Sequence, residues 1–175
     1  MKYSAFAAIS IVAIFMPVDQ HSTSFSDNMI NNVVDSEIEN NTLGKLAEYD
    51  RLVVTINGYN ISAFIADTNE KRTNGLSRVE NLDKDQGMLF VLDYPSKQGF
   101  WMKEMNFPID IIWINDNYTV IDINTNLQPC VSTFLCPVHS PSNIAKYVLE
   151  TSAGFTESHL ISVGSKAVIN INASR

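Results

Sequence analysis

Two runs of mostly apolar residues, Leu52 to Ile56 and Tyr59 to Ala66, are separated by nothing but Asn57-Gly58. Asn and Gly both tolerate positive φ, and a two-residue loop in that conformation matches the twist of two antiparallel strands. The pattern predicts a β-hairpin and sets the character of the chain downstream. Turn residues keep interrupting short apolar segments. Strands are expected at Gly87 to Leu92, Gly99 to Lys103, Ile109 to Ile114, Tyr118 to Thr125, Lys146 to Glu150 and Ala167 to Ile171. Asp67 with Glu70 three residues on has the form of a capping box, and Gly75 stands where a short helix would stop. A further helical turn is expected near Phe155 to Leu160. Many short strands with little helix predict a mainly β chain, an antiparallel β-sandwich or barrel-like single domain with one or two short helices.

Upstream of the hairpin the sequence changes character twice. Lys2 is followed by an apolar run, Tyr3 to Val18, and then by polar residues. That layout predicts a secretory signal peptide over residues 1–24, with a short membrane anchor as the alternative. Residues 25–50 are rich in Asn, Asp, Glu and Ser and read as a polar acidic tether, which leaves 51–175 as the β domain. The chain is therefore expected to be exported, periplasmic or extracellular, touching a membrane only through an uncleaved leader.

Charge narrows the partners. The chain of 175 residues carries a net −7, with +1 in residues 1–18, −6 in residues 19–50 and only −2 in residues 51–175. Nucleic-acid binding draws its affinity from Lys and Arg neutralising phosphates, and the folded part has neither a basic run nor a positive balance. Nucleic acid is set aside as a partner.

The segments Gly75-Leu76-Ser77-Arg78, Gly87-Met88-Leu89-Phe90, Phe100-Trp101-Met102-Lys103, Pro108-Ile109-Asp110-Ile111-Ile112 and Val148-Leu149-Glu150 resemble, in order and spacing, the family called domain of unknown function 192. The resemblance runs from about Val53 to Ile171. It implies a compact antiparallel β fold of sandwich or barrel type, often exported, and brings no established activity, substrate, cofactor or catalytic residue. Ser77 stands where the family usually has Met, and Glu104-Met105 where an Asn-Thr pair is common.

Asp110 is the one charge inside the apolar segment Ile109 to Ile114. Buried without a partner it would be expensive, so a base is expected beside it: Lys103, Arg78 or Arg72. Such a pair fixes strand register, contacts a ligand, or does acid-base work. Trp101 and Trp113 read as core residues, with an indole beside Lys103 and Arg78 as the alternative, forming one wall of a polar pocket. The candidate ligand-binding set is Arg78, Trp101, Lys103 and Asp110. Glu150 and Glu104 are candidates for a hydrolytic carboxylate pair, which needs its two carboxyl groups held a defined distance apart. Cys130, Cys136 and His139 share a Pro-rich loop. A disulfide between the only two cysteines is the first reading, against a zinc site short of ligands and a Cys-His nucleophile without an orienting third group. No cofactor and no metal is called for.

Three functions fit these residues. The first is a non-enzymatic extracytoplasmic module binding a small polar ligand or an envelope protein. The alternatives are an envelope hydrolase working through paired carboxylates or the Cys-His loop, and a purely structural envelope protein.

Overall fold

The computed structural model describes residues 44–131 and 135–171. The leader expected over residues 1–24 and most of the expected tether lie outside the described residues. The hairpin forms where Asn57-Gly58 places it: β1 (Arg51–Ile56) and β2 (Tyr59–Ala66) pair antiparallel, with Asn57 at φ 52° and Gly58 at φ 84° in the turn. After β2 comes the short helix α1 (Asn69–Asn74). Its cap is Thr68 and not Asp67: the Lys71 amide donates to the Thr68 hydroxyl, which satisfies one of the helix's unpaired first-turn donors. Gly75 ends it at φ 48°, a conformation that strains any other residue.

The remaining elements are β3 (Gln86–Ser96), β4 (Phe100–Trp101), β5 (Ile109–Ile114), β6 (Val120–Leu127), β7 (Val138–His139), β8 (Ala145–Ser152), helix α2 (Phe155–Ser158) and β9 (Ala167–Ile169). Seven strands make one curled sheet in the order β6-β5-β8-β3-β2-β1-β9, while β4 and β7 form a separate two-stranded ribbon. The chain is mainly β, as expected, but the sheet is not wholly antiparallel. β2 and β3 run parallel, Phe64 opposite Met88, because α1 and the connection after it carry the chain across before β3 begins. β7 is absent from the strands expected of the sequence: two residues between Pro137 and Pro141 give no periodicity to read.

Curling brings the two edge strands together at one end. Thr119 and Lys166 form an antiparallel bridge, the Ala167 amide donates to the Tyr118 carbonyl at 2.8 Å, and the Gly164 amide donates to Val120 at 2.8 Å. The enclosed face accordingly collects side chains from all seven strands into one cluster, among them Val54, Ile61, Leu89, Ile112, Leu149 and Ile169. The opposite face carries Phe64, Met88, Phe90, Ile111, Trp113 and Val148, covered by Leu76, Val79, Met102 and Met105 from the connections. Leu46 and Tyr49, which the sequence assigns to the tether, are buried in this second cluster, so the packed chain reaches back past Arg51.

Candidate functional site

The connections over the second face leave a cleft of about 500 Å³ against the sheet. The decisive residue in it is Glu150. β8 lies between β3 and β5, where Glu150 faces Met88 on one side and Ile111 on the other. Strand alternation puts it on the same face as Val148, among apolar neighbours. It is 5% exposed, and no described residue gives it a hydrogen bond or an ion pair. Burial alone pushes its carboxyl up to about 8, since an ionised form would lose its water without gaining a cation. At neutral pH it is a protonated acid, one donor and one acceptor facing the cleft.

The aromatic rings of Phe90, Phe100 and Trp101 line the cleft. Phe100 meets Phe90 edge to face at 4.8 Å between centroids and Trp113 at 5.3 Å. Trp113 is fully buried, its indole N–H donating to Asn124 at 3.0 Å, so that tryptophan is core as expected. Trp101 is not core: it lines the cleft and stays 55% exposed. Arg72 also reaches the cleft, with both terminal nitrogens of its guanidinium engaged. One nitrogen donates to the carbonyls of Asp67 and Val91, and the other donates to Asn69 and to the Asp93 carboxylate at 2.8 Å. Ser77 and Met105, two of the departures from the family pattern, line the same space.

Asp110, Arg78 and Lys103 do not join Trp101 in this cleft. In β5, Ile111 stands opposite Glu150, and alternation sends the neighbouring Asp110 to the enclosed face. Asp110 is fully buried, but the expected base is not its partner. Its carboxylate accepts the backbone N–H groups of Asn126 at 2.8 Å, Gly154 at 3.2 Å and Thr156 at 3.0 Å, and the Thr156 hydroxyl at 2.7 Å. Four donors hold the charge without a cation and tie β5 to the start of α2. Arg78 pairs instead with Glu104 at 2.7 Å on the surface, its side chain 74% exposed. Lys103 lies with its Nζ 5.4 Å from the Trp101 ring, outside the cleft lining.

The hydrolytic readings lose their parts in the same way. Glu104 turns to Arg78 while Glu150 faces the cleft, so the two carboxyl groups do not converge on one space. Cys130 and Cys136 are joined in a disulfide with Cα atoms 5.7 Å apart, which removes the free thiol that a nucleophile or a zinc ligand requires. His139 stands in β7 opposite Phe100, part of the ribbon at the cleft. Sequence reasoning singles out Glu150 only as half of a carboxylate pair. The signal for more is there, an acid ending the apolar run Val148-Leu149, the same kind of signal that draws attention to Asp110.

A curled β-sheet with a cleft over one face, and in it an acid that no described residue partners, defines a small β domain. The chain belongs to the DUF192 family, described as "Uncharacterized ACR", whose profile matches residues 52–169. No curated protein matches it. Among solved structures it is similar to a Sinorhizobium meliloti protein described as a "putative transcription regulator", at 25% identity and a TM-score of 0.64, covering 69% of this chain and 95% of that one. It shares its fold with a protein of unknown function from Novosphingobium aromaticivorans, at 24% identity and a TM-score of 0.63, covering 67% of this chain and 84% of that one.

Proposed function

We propose that this protein binds a small organic molecule outside the cytoplasm, in the cleft between Trp101 and Glu150. The observation that carries the reading is Glu150 itself. A carboxyl nearly buried among apolar side chains and bonded to no described residue costs free energy that a partner recovers, and a ligand entering the open cleft supplies one. Trp101 at the mouth supports the same reading: a large ring left half in water offers a face to stack on. The disulfide and the expected leader support export, because such bonds persist in oxidising compartments. The described residues hold no helix long and apolar enough to cross a membrane.

Of the four residues that the sequence proposes as a ligand-binding set, Trp101 keeps a place in this site, Glu150 replaces Asp110 as its polar group, and Arg78 and Lys103 stand outside it. The test is a protein-observed NMR screen of water-soluble aromatic fragments. Fragments should move the Trp101 indole resonance and the amides of Gly75 and Gly99, which line the cleft. Trp101→Ala should weaken them about tenfold, in line with the 1–3 kcal/mol of one stacking contact. A complete screen that moves no cleft resonance would sink the proposal.

A further inference from the structure

We infer that the ligand is a small organic cation, whose ammonium group meets the Glu150 carboxyl while its body lies among Phe90, Phe100 and Trp101. This rests on the cleft being a ligand site, and it names the ligand's chemistry. The groups around Glu150 decide the sign. Its strand neighbours are Met88 from β3 and Ile111 from β5, neither of them charged. β4 contributes Phe100 and Trp101, β7 contributes Val138, and the connections contribute Leu76, Ser77 and Met105. α1 contributes Arg72, the one other ionisable side chain among the described residues of the cleft lining, and both its terminal nitrogens are bonded, to Asp67, Asn69, Val91 and Asp93.

Glu150 therefore waits for a cation that no described residue supplies. An ammonium ligand would form a charge-assisted hydrogen bond or ion pair with a carboxyl held among apolar side chains, where such contacts are strongest. The ring faces favour the same charge, since a cation is attracted to the electron-rich face of an aromatic ring. An anionic ligand would set a second negative charge beside the acid or keep it protonated, with Arg72 already neutralised by Asp93. Binding a cation holds Glu150 ionised, so the carboxyl O–H bond breaks and the proton leaves to solvent as the complex forms. Affinity should then rise by nearly tenfold per pH unit below about 8 and level off above it.

Three probes of similar size test this: benzyltrimethylammonium, whose charge does not depend on pH, benzyl alcohol and benzoate. Each is titrated by NMR and calorimetry against the full chain and against Glu150→Gln between pH 6 and 9. The cation should bind at the cleft resonances at least tenfold more tightly than the other two at pH 9. It should weaken at least thirtyfold on going to pH 6, and lose both its preference and its pH dependence in the variant. Should benzyl alcohol or benzoate bind the cleft as tightly as the cation, or the cation bind with a flat pH profile, the cationic class is wrong while the cleft remains a ligand site. Should none of the three move a cleft resonance, the cationic class falls, and the fragment screen decides whether the site falls with it. The pH profile of the unaltered protein decides the matter even where the variant fails to fold.

Discussion

Two buried carboxyl groups on neighbouring strands meet opposite fates here, and the difference lies in the donors each one finds. Asp110 takes three backbone N–H groups and a hydroxyl, while Glu150 takes none from the described residues. Asp110→Asn turns one acceptor into a donor facing donors. We expect a loss of about 3 kcal/mol in urea melts, the scale of losing hydrogen bonds to a charged group, and a loss below about 1 kcal/mol would mean that the strand-to-α2 tie is not structural. Glu150 should show itself through pH. Its carboxyl ionises at about 8 in the folded protein against 4.5 in the unfolded chain, so between those values the folded state holds the extra proton. The stability this gives is complete below 4.5 and drains away as pH rises towards 8, by about 1.4 kcal/mol per unit before relaxation of the site reduces it. Glu150→Gln should remove this slope. A variant whose stability still follows the wild-type curve from pH 5 to 8 would place the titration elsewhere.

Elements are legible in proportion to how local their causes are. Asn57-Gly58 fixes the hairpin within two residues, and Ile109 to Ile114 announces β5 by composition alone. The cap of α1 falls one position from where the sequence points, on Thr68 and not Asp67, since both residues have side chains able to accept from the first turn. What stays hidden depends on pairing across the chain. Alternation says that Asp110 and Ile111 face opposite ways, but only the register of β5 against β8 puts Ile111 beside Glu150 and so assigns the cleft to Glu150. The parallel step from β2 to β3 is equally non-local. Where β3 lies against β8, Gly87 leaves no room for a side chain: a Cβ there would stand 2.7 Å from the Glu150 carbonyl oxygen, a backbone atom that cannot turn aside. Gly87→Ala should therefore cost about 1–3 kcal/mol and weaken β3 against β8, read as faster amide exchange at Leu89 and Leu149. Unchanged stability and exchange would contradict so close a contact. Reducing the Cys130–Cys136 bridge should cost about 2 kcal/mol, and alkylation without reductant should add no mass to protein taken from an oxidising compartment.

For the molecule as a whole, the boundary at Arg51 is read from an acidic, Asn-rich stretch in which two apolar residues make no visible pattern. Leu46 and Tyr49 are nonetheless 2% and 6% exposed, and the Tyr49 hydroxyl reaches the Lys71 carbonyl. A fragment of residues 44–175 should melt with about 3 kcal/mol more stability than one of residues 51–175, the worth of burying two such side chains. Equal melts would mean that this segment adds nothing. The meeting of β6 and β9 bears on timing as well as on shape. β1 takes β9 as its second neighbour, with Val54 opposite Ile169, so one flank of the first strand of the sheet is filled by the strand that follows all its others in sequence. A chain delivered from its N-terminus, from a ribosome or through an export channel, must carry that flank bare until residue 169 has emerged. Any product cut short before Lys166 leaves a bare rail of amides and carbonyls, to which a second unfinished copy can dock by strand addition.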